Sequence, residues 1–197
     1  AESSTWVFGG SFVERYESAD GGAQFFNTQV VFAPDGSLAA AYRKVHLFGF
    51  NGGETTVMSS GSDAVVLDCP LGRTGLVTCY DLRFPVFVRN NQAVPYDLAI
   101  YVANWPETRS AAWRTLLQAR AIENQCFVVG LNRSGTDGKG HRYAGDSVIA
   151  DFSGKLLADA GNSGSPAKIS STLSKDGLLA FRKKLPFLED ADPHAFG

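Results

Sequence analysis

The stretch 97–124, DLAIYVANWPETRSAAWRTLLQARAIEN, decides the fold class. Residues 97–103 form a nearly continuous apolar run, which is typical of a strand that is buried on both faces. A helix is predicted at 110–124, with Ser110 as its cap, because one stripe of positions repeats there at helical spacing: Trp113, Leu116, Leu117, Arg120 and Ala121. A buried strand followed by an amphipathic helix predicts an α/β protein.

The remaining chain extends this pattern with further strands and a second helix. Runs rich in Val, Phe and Thr alternate with turn-forming sequences, as in antiparallel hairpins. The predicted strands are 5–14, 25–33, a third ending at Tyr42, 64–69, 74–79, 126–131 and 147–152, and the last helix is 174–184. No repeat or linker interrupts residues 1–197, so we expect a single domain in which helices cover a largely buried sheet.

Composition favours a small-molecule partner. The chain carries 18 basic and 20 acidic residues, and its net charge of -2 provides no long-range field for nucleic acid or an anionic membrane. No apolar run reaches the roughly 18 residues that span a bilayer, and the first residues lack the features of a signal peptide. We therefore expect a cytoplasmic protein.

Neither a disulfide framework nor a metal site is predicted. The chain has 3 cysteines, which is an odd number and too few for a framework, and they form no cluster with the scattered histidines His46, His141 and His194. Reduced thiols are expected, and no metal.

Three side chains are candidates for chemistry. Cys79 ends the apolar run 75–79 and precedes the polar and aromatic sequence YDLRFP, so a thiol is expected at a strand end, where ligands often bind. Lys44 follows a predicted strand, and Glu54 lies in the Gly-rich sequence NGGE. The alternative is that Cys79 is a small buried hydrophobe and that both charged residues are ordinary surface side chains.

The motifs YRKVHLF (42–48) and CYDLRFP (79–85) resemble the lysine and cysteine signatures of the nitrilase, or carbon–nitrogen hydrolase, superfamily. The resemblance continues through YDLAIYVANWP, WRTLLQARAIENQ and NRSGTDGKGHRYAGDS, and it covers the chain from Phe8 to about Asp192. The segments CYDLRFPVF and VANWPETRSAAW are most similar to the omega-amidase branch. The resemblance implies a four-layer α-β-β-α sandwich, here incomplete at its amino terminus, and a homodimer formed through 84–91 and 110–124.

The resemblance also assigns roles to individual residues. It makes Cys79 the nucleophile, Lys44 the cation that stabilises the oxyanion together with the backbone N–H of Tyr80, and Glu54 a supporting glutamate. A positive charge near a thiol also favours the reactive thiolate. Asn104 and Trp105, at the end of the next predicted strand, are expected to line the substrate pocket, and the alternative is that they form a turn that caps the strand.

Three further charged residues of these motifs are expected to be structural. Arg83, Arg120 and Glu123 are assigned to buried ion pairing in preference to substrate binding.

The implied reaction releases ammonia from a small omega-amide of a dicarboxylic or 2-oxo acid, such as 2-oxoglutaramate, through a cysteine thioester and without a metal or organic cofactor. Two alternatives stay open. One is hydrolysis of an N-carbamoyl compound or a nitrile, and the other is a non-catalytic binding or scaffold protein.

One departure from the family pattern concerns the general base. The family's base is a glutamate in a strand-and-helix unit that precedes the start of this sequence, and no matching residue is present here. Glu14 and Glu2 are weak candidates to replace it. General acid–base catalysis contributes about 10²–10⁴ in rate, so we expect this chain to be the carboxyl-terminal portion of a longer enzyme and slow or inert alone.

Overall fold

The computed structural model describes residues 5–18, 21–50, 52–90 and 95–190. Its strands are β1 (Val7–Glu17), β2 (Ala23–Phe32), β3 (Leu38–Arg43), β4 (Val65–Cys69), β5 (Gly72–Thr78), β6 (Leu98–Ala103), β7 (Phe127–Asn132), β8 (Ser134–Thr136), β9 (Arg142–Ala144), β10 (Val148–Ala150) and β11 (Leu156–Asp159). The helices are α1 (Ser110–Asn124) and α2 (Lys175–Lys184), and short 3₁₀ turns lie at Glu54–Thr56, Cys79–Arg83 and Glu107–Arg109.

The larger sheet has 6 strands in the order β11-β10-β7-β6-β5-β4. Strands β5, β6 and β7 are parallel to one another, and the remaining neighbours pair antiparallel. Every residue of β6 except Ala103 is buried, which confirms the strand predicted from the apolar run. Since parallel strands end at the same edge of a sheet, the segments that follow β5, β6 and β7 meet there.

The smaller sheet, with 3 antiparallel strands in the order β1-β2-β3, packs on one face of the larger sheet. Val31, Tyr42 and Leu76 form the core between the two sheets. Side chains alternate along a strand, so Tyr42 on β3 and Lys44 just beyond it lie on the inner face, whereas Arg43 lies on the outer face. The register of the sheet thereby directs the Lys44 ammonium toward the larger sheet.

Helix α1 covers the opposite face of the larger sheet. Trp113, Leu117 and Ala121 are fully buried there, which confirms the predicted apolar stripe. Leu178 of α2 packs with Leu98 on the face that also carries the smaller sheet. The described residues thus form three of the expected four layers: α1, the larger sheet and the smaller sheet. Within those residues, no helix is long and apolar enough to cross a membrane.

Two local features differ from the sequence-based expectation. Ser110 is the first residue of α1 and not its cap, because the 3₁₀ turn Glu107–Arg109 runs directly into the helix and makes Arg109 the residue before it. The Ser110 hydroxyl donates instead to Asp146. The short hairpin β8–β9 was not predicted, since its strands have only 3 residues each.

The packing of α1 generates a stability prediction. Leu117→Ala is expected to lower the free energy of unfolding by about 2–5 kcal/mol, because it leaves a cavity at a fully buried position. Urea unfolding followed by circular dichroism measures the change. Leu179 on α2 is 49 % exposed and lies outside the segments predicted to form a homodimer, so Leu179→Ala is the control and is expected to cost less than about 1 kcal/mol. Equal losses for both variants would contradict the assigned packing.

Candidate active site

Cys79 begins the 3₁₀ turn that directly follows β5, at the edge where the parallel strands end. Its φ angle of 49° lies in the left-handed region, which residues with a Cβ atom seldom occupy. A capping box closes the turn, because the Thr78 and Asp81 side chains each bind the other residue's backbone N–H. The backbone therefore reverses abruptly at the thiol and turns it out of the sheet.

A cavity of about 950 Å³ opens at this edge. The structure brings all the residues predicted for the site to its walls: Cys79, Lys44, Glu54, Tyr80, Asn104 and Trp105. They come from chain segments that are far apart in the sequence. Their chemical roles remain predictions.

Lys44 is only 2 % exposed, and its ammonium forms an ion pair with Glu54 Oε2. The same carboxylate oxygen accepts the backbone N–H of Phe48 at 2.9 Å, and Oε1 accepts Asn27 Nδ2 at 2.6 Å. Burial raises the pKa of the Glu54 carboxyl, but the Lys44 charge and these hydrogen bonds outweigh it and hold the pKa below its ordinary value. The buried ammonium is therefore matched by an ionised carboxylate.

Two glycines allow the chain after Lys44 to fold back tightly. A Cβ atom on Gly53 would lie 2.2 Å from the Phe48 carbonyl oxygen, and one on Gly61 would lie 2.1 Å from that of Arg43. These approaches permit the backbone hydrogen bonds from Glu54 to Phe48, at 2.8 Å, and from Gly61 to Lys44, at 2.9 Å. The close approach to the Phe48 carbonyl therefore explains why a glycine precedes Glu54.

The electrostatic surroundings of Cys79 favour the protonated thiol over the thiolate. Burial raises the pKa of Cys79 above its ordinary value, and the Lys44 charge lowers it only in part. The negative charge of Glu54 acts against Lys44, because it also raises the pKa of the thiol. A thiol with a raised pKa is protonated at neutral pH, and the Cys79 thiol donates a hydrogen bond to the Asn104 carbonyl oxygen, with 3.9 Å between Sγ and the oxygen.

Asn132, at the end of β7, holds the segment that carries Asn104 and Trp105. Its Oδ1 accepts the Trp105 backbone N–H at 2.7 Å, and its Nδ2 donates to the Trp105 carbonyl at 3.0 Å. Trp105 itself is 3 % exposed. Sequence reasoning did not single out Asn132, although its place at the end of a strand that neighbours β6 is a usable signal.

Four cations lie around the cavity without an acidic partner at ion-pair distance in the described part of the chain: Arg83, Arg109, Arg133 and Lys139. The Arg83 guanidinium lies over the Trp105 ring, 4.8 Å from its centroid. The prediction that Arg83 takes part in a buried ion pair is therefore wrong. Arg120, by contrast, pairs with Glu123 at 2.8 Å, as predicted, and its guanidinium also donates hydrogen bonds to the Leu82 carbonyl.

Glu54 is the only acidic side chain of the described residues that lines the cavity. Glu14 lies on the outer face of the smaller sheet, where it binds Arg43 at 2.6 Å and Thr28 at 2.6 Å. The hydrogen bonds from Arg43 lower the pKa of Glu14, so it is a weak base as well as a distant one. Glu2 lies outside the described residues. Within them, no group of three or more His, Cys, Asp or Glu side chains is arranged to hold a metal ion.

Sequence comparison identifies relatives of this arrangement. A family model described as carbon-nitrogen hydrolase matches residues 1–170. The omega-amidase YafV of Yersinia enterocolitica is 42 % identical over 185 residues, which cover 90 % of this chain and 70 % of that protein. The 2-oxoglutaramate amidase of Paenarthrobacter nicotinovorans is 41 % identical over 189 residues, or 94 % of this chain and 63 % of that protein. The chain thus spans about two thirds of the length of these relatives.

Solved structures agree with these relatives. A CN-hydrolase superfamily protein from Xanthomonas campestris, which carries an arsenic adduct in its active site, has a TM-score of 0.84 at 37 % identity, over 95 % of this chain and 70 % of that one. An amidase from Nesterenkonia, modified by acrylamide at its active-site cysteine, has a TM-score of 0.70 at 27 % identity, over 89 % and 68 %. These matches confirm the predicted superfamily and α/β fold. The chain belongs to the carbon–nitrogen hydrolase family, among relatives named as amidases.

Proposed function

We propose that this chain carries the cysteine, lysine and supporting glutamate of an omega-amidase, which hydrolyses the terminal amide of a small dicarboxylic or 2-oxo acid. One observation supports this most strongly: the Cys79 thiol and the buried Lys44–Glu54 ion pair line the same cavity. The omega-amidase and 2-oxoglutaramate amidase relatives support the substrate class.

The proposed reaction has two stages. The Cys79 sulfur bonds to the amide carbonyl carbon while a general base takes the thiol proton and passes it to the amide nitrogen. The resulting oxyanion is stabilised by the Lys44 ammonium and the Tyr80 backbone N–H. The C–N bond then breaks, and the nitrogen departs as ammonia with the transferred proton. Water hydrolyses the thioester and restores the thiol.

The protonated state of the thiol makes a general base necessary. Glu54 is an unsuitable base, because both its oxygens already accept hydrogen bonds and its pKa is lowered. We therefore propose that the base is a carboxylate from outside the described residues.

The cations around the cavity favour an anionic substrate. The chain has a net charge of -2, yet the cavity lining combines one carboxylate with the ammonium of Lys44 and four further cationic side chains. A guanidinium that stacks on an aromatic ring is held in place to bind a carboxylate. A substrate with an amide at one end and a carboxylate at the other matches this distribution better than a neutral amide or a nitrile does.

Assembly and location are also proposals. Val86 is 90 % exposed and Ile122 is 53 % exposed, and both belong to the segments predicted to form a homodimer. Burial of such apolar side chains against a second copy supports the homodimer. We retain the cytoplasmic location predicted from the sequence.

The nucleophile is tested by Cys79→Ala. Incubation of the full-length protein, which includes the segment that supplies the proposed base, with 2-oxoglutaramate is expected to produce an acyl adduct on Cys79, seen by mass spectrometry. The variant is expected to lose both the adduct and ammonia release. Cys69 is a half-buried free cysteine outside the cavity, so Cys69→Ala is the control and should retain both. An N-carbamoyl amino acid and a nitrile, assayed in parallel, separate the alternatives. An unchanged rate of ammonia release from Cys79→Ala would exclude this mechanism.

The role of Lys44 is tested by the pH dependence of Cys79 alkylation with iodoacetamide. Lys44→Gln is expected to raise the pKa of the thiol, because it removes the charge that opposes the effect of burial. A rise of one unit slows alkylation near neutral pH about tenfold.

Since Lys44→Gln alone leaves Glu54 buried without its partner, the double variant Lys44→Gln with Glu54→Gln tests the same point with less loss of stability. It is expected to raise the thiol pKa by a smaller amount, because Glu54 acts against Lys44. Lys155 lies outside the cavity, so Lys155→Gln is the control and should leave the profile unchanged. An unchanged profile in both Lys44 variants would refute the pairing.

The substrate class is tested by Arg83→Met. In the full-length protein, the variant is expected to raise KM about ten- to a hundredfold for the anionic 2-oxoglutaramate, because a lost charge-assisted hydrogen bond costs about 1.5–3 kcal/mol. It is expected to change KM little for neutral butyramide. Arg142 is an exposed arginine that does not line the cavity, and Arg142→Met serves as the control. Equal changes for the two substrates would mean that Arg83 does not recognise the carboxylate.

A further inference from the structure

Asp81 is the third residue of the Cys79–Arg83 turn, and it is completely buried. Its Oδ2 accepts hydrogen bonds from the Tyr42 hydroxyl at 2.7 Å and the Thr78 backbone N–H at 3.1 Å. Its Oδ1 accepts the His46 backbone N–H at 2.9 Å and lies 2.8 Å from His46 Nδ1, which donates in the Nδ1–H tautomer. These four bonds fill the acceptor positions of a carboxylate, so Asp81 is fully satisfied.

The partners of Asp81 lie on both sides of the proposed catalytic pair. Tyr42 and His46 are two residues before and two residues after Lys44, and Thr78 immediately precedes Cys79. The Tyr42 hydroxyl also accepts the backbone N–H of Val45 at 3.2 Å, so the same hydrogen-bond chain reaches the residue next to Lys44. One buried carboxylate therefore joins the segment that bears the ammonium to the turn that bears the thiol.

Aromatic rings also pack between these two segments, but they constrain the relative position of the segments less than the Asp81 hydrogen bonds do. His46 stacks on Phe84, with ring centroids 3.7 Å apart and planes 9° apart, and Phe48 contacts the Tyr80 ring edge-on. Stacked rings can slide with little change in energy, whereas hydrogen bonds to a buried carboxylate have defined lengths and directions. The Asp81 bonds are thus the contacts that define the register between the two segments.

We infer that Asp81 is a positioning residue, which holds the Lys44 ammonium at the distance from the Cys79 thiol that the reaction needs. This inference rests on the proposed function of that pair. Asp81 does not contact the cavity, and it acts through Tyr42, His46 and Thr78.

Because Asp81 is itself charged, the direction in which its removal changes the pKa of Cys79 tests the inference. The groups that influence the thiol include the Lys44 ammonium, the Asn104 carbonyl and the carboxylates of Glu54 and Asp81. The negative charge of Asp81 disfavours the thiolate, so removal of that charge alone lowers the pKa of Cys79. Movement of Lys44 away from the thiol has the opposite effect. The direction of the change therefore separates a positioning role from a purely electrostatic one.

The experiment measures iodoacetamide alkylation of Cys79 against pH in Asp81→Asn, with peptide mass spectrometry to distinguish Cys79 from Cys69 and Cys126. In this reaction the thiolate sulfur bonds to the methylene carbon and iodide leaves, so the rate reports the thiolate fraction. We expect the apparent pKa of Cys79 to rise by about one unit and the rate near neutral pH to fall about tenfold. An unchanged or lowered pKa overturns the inference.

A second variant leaves the Asp81 charge in place. Tyr42→Phe removes one hydrogen bond to Asp81 and the link to Val45, with little change in volume. It is expected to shift the Cys79 profile in the same direction by a smaller amount, and the two substitutions combined should shift it by less than their sum because they act on one network. Additive shifts, or no shift in Tyr42→Phe, overturn the inference.

Two controls complete the design. Asp97→Asn breaks the 2.9 Å ion pair with Arg182 at the start of β6, away from the cavity, and should lower stability while leaving the Cys79 profile unchanged. An equal pKa shift in this variant would assign the effect to general destabilisation and overturn the inference. If Lys44→Gln leaves the profile unchanged, the proposed pair itself fails. If Lys44→Gln raises the pKa and Asp81→Asn does not, only the positioning role fails.

Discussion

The ion pair between Lys44 and Glu54 is the interaction on which the rest of the site depends. An ammonium that is 2 % exposed would cost several kcal/mol without a compensating charge. The compensating Glu54 lies ten residues after Lys44. The chain folds back around the pair through two close approaches, at Gly53 before Glu54 and at Gly61 after it, that leave no space for a side chain. The loop that carries Glu54 therefore has its shape because a buried cation needs an anion at a defined position.

The same pair limits the reactivity of the thiol. Burial raises the pKa of Cys79 by more than the Lys44 ammonium lowers it, and the negative charge of Glu54 acts in the same direction as burial. A thiol that stays protonated until substrate arrives is protected from oxidation and from adventitious electrophiles. It then depends on a separate base to react, and neither Glu54 nor Glu14 is placed for that task, because each is already bound to a cation.

Much of the fold follows from patterns that the sequence displays openly. The apolar run of β6 and the helical stripe of α1 are long and regular, and their bounds agree with the structure within one residue. The side chains of the site lie within sequence motifs of several residues, so they could also be predicted.

Sequence patterns do not show, however, in which direction an individual side chain points. Arg83 was assigned to an ion pair, but the 3₁₀ turn points it over Trp105 at the cavity. Ser110 was assigned as a cap, but a preceding turn already leads into the helix. The Arg83 outcome depends on a contact between residues far apart in the chain, and the Ser110 hydroxyl likewise binds the distant Asp146.

The left-handed backbone at Cys79 sets fold stability against chemistry at one position. A residue with a Cβ atom in this conformation carries a penalty of about 1 kcal/mol that glycine avoids. A glycine here would relieve that backbone strain, and under the proposed function it would also remove the nucleophile. The conformation that turns the thiol toward the cavity is thus one that lowers the thermal stability of the same turn.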